Sequence, residues 1–170
     1  MRITQWGEYG IHCASFIARA EKQGSKAVPA ADIASEQGIA LDYAQQILQR
    51  LRKNKIVQSI RGPQGGYKLC RPASQITLKD IIVASEGDTF EIICETKPLN
   101  HARCSQNAHC NLKPVWFALK DHVNAFLGRY TLEQVVEDTL GLPEIVQQPV
   151  QISGTHTGQP SSLESCSMGK

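Results

Sequence analysis

The chain has 170 residues, of which 41% are hydrophobic, enough for one packed domain with an appendage. No apolar run approaches the length of a membrane span, and the opening Met1-Arg2-Ile3-Thr4-Gln5-Trp6 lacks the apolar core of a secretory signal, so a cytoplasmic protein with no membrane partner is expected. The net charge of +2 hides an asymmetry: Tyr43 to Lys79 holds eight Lys or Arg and no Asp or Glu, which leaves −6 on the other 133 positions.

In chain order, Trp6, Tyr9, Cys13, Phe16, Ile17 and Ala20 recur at helical spacing behind Thr4, a candidate cap. Glu8 lies off that stripe. Glu21 to Ala27 reads as a polar loop. Pro29 suits the first position of a short helix through Gln37, and Gly38 suits its end and the turn into the next. From Ala40 to Lys55, residues Leu41, Ala44, Ile47, Leu48 and Leu51 make one apolar stripe, with Tyr43, Gln46, Gln49, Arg50 and Lys53 opposite. Those are groups that contact base edges or phosphates. Helix, glycine turn and helix form a helix-turn-helix pattern.

Two β-prone runs follow, Ile56–Ile60 and Tyr67–Cys70, joined by Arg61-Gly62-Pro63-Gln64-Gly65-Gly66. Pro63 and the Gly65-Gly66 pair are expected to supply the fixed and positive φ values of a tight turn. The fold class is therefore mainly α with a small β-ribbon wing, a winged helix-turn-helix. Gln46 is the expected base-edge contact and Arg61 the minor-groove contact, with Tyr43 and Arg50 on phosphates and Gly65 in the DNA-binding turn.

Thr77-Leu78-Lys79-Asp80 resembles a capping box opening a helix with Leu78, Ile81 and Ile82 inward, stopped by Gly87-Asp88. Pro114 starts a long helix with Val115, Trp116, Leu119, Val123, Phe126 and Leu127 on one face, wide and aromatic enough to suggest burial against a second subunit, with core packing within the monomer as the alternative. Thr131-Leu132-Glu133-Gln134 caps a short helix to about Leu140. The expected organisation is a DNA-binding domain over residues 1–88, a cysteine-rich loop over 89–113, a dimerisation helix with a short helix over 114–140, and a disordered tail over 141–170 that includes Cys166.

Six cysteines in a reducing compartment suggest thiols, metal ligands or redox sensors rather than structural disulfides. Cys94, Cys104 and Cys110 fall in one polar loop with His101 and His109. Soft thiolates suit an iron–sulfur cluster, or zinc in a Cys3His set completed by either histidine. A thiol–disulfide switch is a further reading. The spacing has no Cys-x2-Cys pair and leaves the three open. No nucleophile–base pair is evident, and the glycine turn leads into a strand rather than a helix, so an enzyme is not expected.

Leu51-Arg52-Lys53-Asn54, the wing from Arg61 to Tyr67, the opening Met1-Arg2-Ile3-Thr4 and the three-cysteine loop before a long helix together resemble the Rrf-two family of bacterial winged-helix regulators, over about Met1 to Leu140. The resemblance implies a homodimer packed through the long helix, a palindromic site on double-stranded DNA, and an iron–sulfur cluster on Cys94, Cys104 and Cys110, with four irons favoured over two. In such a regulator, operator affinity follows the cluster as it senses nitric oxide, oxygen, iron or redox state. One family type takes its fourth ligand from a histidine three residues past the last cysteine, where this chain has Lys113. Another takes a carboxylate from the first helix of the partner subunit, and Glu8 stands at that place. His101 and His109 are rivals for it, and the first cysteine gap is wider than the family's. A zinc- or thiol-dependent winged-helix repressor is the alternative.

Overall fold

The structure, a computed structural model, describes residues 4–92 and 111–141. Contacts divide the chain after Leu140, and the fold below is that of the first unit. Helix α1 (Gln5–Lys22) starts at Thr4, whose Oγ1 accepts from Trp6 N at 3.2 Å, and buries Cys13, Ala14, Ile17 and Ala18. It runs two residues into the expected loop. Helix α2 (Ala30–Gln37) has Pro29 one place earlier than expected, as its N-cap, and ends at Gly38 in the left-handed region. Helix α3 (Leu41–Lys53) buries Ala44, Ile47, Leu48 and Leu51 completely. Each of the three large side chains removed from water stabilises the fold by roughly 1.5–3 kcal/mol. The fifth member of the predicted stripe, Leu41, is 42% exposed, because the first helical turn projects past the core.

Strands β1 (Val57–Ile60) and β2 (Gly66–Leu69) pair antiparallel, Val57 opposite Leu69 and Ile60 opposite Gly66. The turn differs from expectation. Gly62 takes the positive φ, at 121°, whereas Gly65 and Gly66 are needed for close approach. A Cβ on Gly65 would meet the carbonyls of Ile60 and Gly62, and one on Gly66 would meet the backbone of Val28. There an isolated bridge ties the wing to the chain before α2, with Tyr67 N donating to Val28 O at 2.8 Å and Val28 N to Tyr67 O at 2.9 Å.

After a 3-10 turn (Ala73–Gln75), α4 (Leu78–Glu86) opens on the capping box of Thr77 and Asp80 and stops at Gly87. Ile81 and Ile82 are buried and Leu78 half-buried. Helix α5 (Lys113–Gly128) carries Pro114 in its first turn. Helix α6 (Leu132–Val136) opens on the capping box of Thr131 and Gln134 but is a single short turn, ending before Leu140. Its start is sewn to that of α4 by Leu132 N to Ile76 O at 2.7 Å and Leu78 N to Tyr130 O at 2.9 Å. One core, from Cys13 through Ile33, Leu48 and Ile81 to Leu132, lies under α1, α3, α4 and the wing.

Candidate nucleic-acid interface

On α3, burial of one stripe fixes what faces out: Gln45, Gln46, Gln49, Arg52 and Lys53 are exposed. Gln45 is an amide beside Gln46 that the sequence reading passed over, although its place off the stripe marked it. Arg50, Arg52 and Lys53 fill the last turn, where the helix dipole favours cations. Lys55 follows in the left-handed region at φ 57°, where glycine is usual, and lets Ile56 N close on Leu51 O at 2.9 Å before the chain enters β1. Arg61 stands exposed at the wing, and Gly65 is half-buried in the turn with its N donating to Gly62 O at 2.9 Å.

Tyr43 and Arg50 do more inside the protein than expected. The Tyr43 ring packs edge-on against Trp6 and Tyr9, with centroids 4.9 and 5.8 Å away. Burial in that cluster raises the phenol's pKa; neighbouring Tyr9 also raises it, and Arg50 opposes. Arg50 lays its guanidinium 4.0 Å over the Trp6 ring and donates from Nη1 to the carbonyl of Ser85 at 2.7 Å. A second cation of the basic segment, Arg71, is likewise structural: it pairs with Asp80 at 3.0 Å and donates to the carbonyls of Gln75 and Lys55. Arg52, Lys53 and Arg61 remain exposed to solvent.

Glu8 is exposed in the first turn of α1. Cys94, Cys104, Cys110, His101 and His109 lie outside the described residues, as does the tail with Cys166. Among the described residues no group of three or more His, Cys, Asp or Glu could hold a metal ion. The two described cysteines differ: Cys13 is buried, which pushes its thiol up to about 12, and Cys70 is exposed. A thiol held protonated by burial is a packing group, not a ligand.

No residue of helix α5 is fully buried, and Lys113, Phe117, Lys120, Val123, Asn124 and Leu127 are half-buried. Val115 is 55%, Trp116 39%, Leu119 42% and Phe126 37% exposed, an apolar face on which Phe126 packs edge-on against buried Tyr130 with centroids 5.1 Å apart. No helix among the described residues is long and apolar enough to cross a membrane.

A family profile described as "Rrf2: Iron-dependent Transcriptional regulator" matches residues 3–138. The chain is 34% identical over 160 residues to the HTH-type transcriptional regulator IscR of Xenorhabdus nematophila, covering 94% of each chain. It is 36% identical over 138 residues to IscR of Escherichia coli, covering 81% of this chain and 82% of the relative. Among solved structures, T. potens IscR superposes with a TM-score of 0.63 at 28% identity, over 88% of this chain and 93% of that one. CymR, the global cysteine regulator of B. subtilis, superposes with a TM-score of 0.61 at 26% identity, over 81% and 98%.

Proposed function

The chain belongs to the Rrf2 family and is a transcriptional regulator of the IscR type, not an enzyme; from that premise we propose a homodimer that binds a palindromic operator with an affinity set by an iron–sulfur cluster. The observation that carries the DNA reading is the outward face of α3, an uncharged amide row bordered by cations, together with an exposed Arg61 in the wing turn. Gln46 takes a base edge in the major groove, and Gln45 lies beside it. Arg61 enters the minor groove, and the tight turn at Gly65 holds it there. Tyr43 and Arg50 take phosphates with what their packing leaves over, the phenol hydroxyl and the guanidinium N–H groups not given to Ser85. The apolar face of α5 supports the dimer, which would set two reading helices about one duplex turn, roughly 34 Å, apart.

The donor set fits a cluster: three cysteine thiols within one segment are soft ligands, and Glu8, exposed on α1, offers a carboxylate for a fourth position. The cluster, with four irons favoured over two, would supply a reactive centre that changes charge and ligation when oxidised, nitrosylated or stripped. Cys94, Cys104 and Cys110 would hold it, and a Glu8 reaching from the partner subunit would tie the first helix to that loop.

The test is anaerobic fluorescence anisotropy on a labelled operator. Gln46→Ala should relax preference at one position per half-site, by ~1–3 kcal/mol of discrimination. Arg61→Ala should weaken binding most on A·T-rich sites and lower the salt slope by about one. Cys104→Ser should abolish the brown colour and fix the protein at its cluster-free affinity, which differs from the loaded one by about 5–150-fold. Variants that bind every sequence like the parent would refute the DNA face, and equal affinities with and without cluster would refute the sensing.

A further inference from the structure

The last turn of α4 is gripped from two sides. From the reading helix, Arg50 Nη1 donates to Ser85 O at 2.7 Å, and Asn54 Nδ2 donates to Ala84 O at 3.2 Å while also reaching Arg50 O at 3.0 Å. These are carbonyls that the helix end leaves without intrahelical partners. From the other side, Glu86 Oε1 accepts both Thr4 N and Gly7 N, each at 2.9 Å. The first turn of α1 is thus capped by a carboxylate from a helix 79 or more residues away in sequence. Gly10 makes the approach possible, since a Cβ there would collide with Ser85 Oγ. Ser85 itself is 1% exposed and donates to Ile81 O at 2.8 Å.

The same short stretch continues into the dimer helix. Asp88 accepts from Lys120 Nζ at 2.6 Å, and Thr89 Oγ1 donates to Asn124 Oδ1 at 2.5 Å. Residues 84–89 therefore touch the reading helix, the turn of α1 that carries Trp6 and Glu8, and α5. Trp6 closes the circuit, because the ring held on α1 is the one over which Arg50 lies at 4.0 Å.

We propose that Glu86 is a positioning residue for operator binding: by holding the first turn of α1 on the last turn of α4, it keeps Trp6 beneath Arg50 and so fixes the setting of the reading helix. The inference rests on the DNA reading above and adds to it a residue that touches no DNA. Its sign separates it from plain electrostatics. Glu86 is an anion in a DNA-binding protein, so Coulomb's law alone says that removing it tightens binding. A positioning role says the opposite for Glu86→Ala, which takes from Thr4 N its acceptor and leaves Gly7 N with Thr4 O alone, at 3.1 Å.

Glu86→Ala, Glu86→Gln and Glu86→Asp would be compared in the full chain by operator anisotropy, by thermal melting and by 19F spectra of protein carrying 5-fluorotryptophan, with the Trp6 signal assigned through Trp6→Phe. Expected for Glu86→Ala is an affinity loss on the order of tenfold, within the range by which residues that touch neither site modulate coupling, with the Trp6 signal moved and the Trp116 signal in place. Glu86→Gln, which removes the charge and keeps an accepting oxygen, should bind like the parent or slightly tighter. Glu86→Asp keeps the charge but is one methylene short of both amides, and should fall between; it carries the test if the alanine variant does not fold. A Glu86→Ala or Glu86→Asp protein that binds as well as the parent, or a Trp6 signal unmoved in both, overturns the proposal. If the parent itself showed no preference for an operator, the DNA reading would fail, and the Trp6 signal would still decide whether Glu86 holds the joint.

Discussion

Replacing Gly66 by alanine should damage the wing out of proportion to the single methyl added. The new Cβ would meet Val28 O and the Val28 carbonyl carbon, and would lie 2.7 Å from Pro29 N. All are backbone atoms that no rotamer change can move. The strand must withdraw from the segment before α2, and the two hydrogen bonds of the Val28–Tyr67 bridge, at 2.8 and 2.9 Å, are stretched or lost. Each is worth about 0.5–1.5 kcal/mol net, and a buried amide left unpaired costs more. Val28, 5% exposed, is drawn away from the buried cluster as well. The expected total is about 2–4 kcal/mol, large against a typical domain stability of about 5–15 kcal/mol. Urea unfolding followed by circular dichroism, at one protein concentration, should show the midpoint falling by about 1–2 M with an unchanged slope. Gly128→Ala is the control: nothing lies within 4 Å of its added Cβ, and α5 should tolerate it within about 1 kcal/mol. A Gly66→Ala protein within about 0.5 kcal/mol of the parent would refute the close-packing argument.

Lys55→Gly should gain about 1 kcal/mol in the same assay, because φ at this position is 57° and a Cβ is a burden there. For Cys13, burial raises the folded pKa from 9.0 to about 12, so its contribution is fully present below pH 9 and is lost as pH climbs toward 12. Cys13→Ala should flatten that alkaline decline, and in the parent a thiol reagent should reach Cys13 only on unfolding. Asp88 runs the other way: burial alone would raise its pKa, but Lys120 and the amides of Thr89 and Phe90 hold it below 3.8. Its stabilising effect is therefore lost as pH falls below that range, and Asp88→Asn should soften the acid decline seen in melting curves. Leu119→Lys on α5 should turn a sedimenting dimer into a monomer that melts like the parent unit; an unchanged dimer would remove α5 from the interface.

Local rules made much of this fold legible. The α3 stripe named four fully buried residues, and the Thr77 and Thr131 capping boxes formed as written because each joins residues three apart. Leu41 escaped because periodicity tells which side of a helix faces inward but not how far the helix outruns its core. The turn glycines were misassigned because sequence alone cannot separate a glycine needed for its φ, as at Gly62, from those needed for their missing side chain, as at Gly65 and Gly66. Arg50 read as an outward cation, and it is exposed, but its principal partners are Ser85 O and the Trp6 ring. The grip of Glu86 on Thr4 and Gly7 crosses the whole domain and has no spacing that could announce it.

The stitch between Thr77 and Thr131 has a consequence for how such chains can diverge. It closes everything between α4 and α6 into a loop whose neck is fastened to the core, with Ile76 and Leu132 both completely buried at the clasp. Loop-closure entropy grows only with the logarithm of length, so that doubling a tethered segment costs about 0.6 kcal/mol. Residues can therefore be inserted or deleted between the clasped ends at little thermodynamic penalty, and the Thr77–Thr131 clasp need not change to admit them.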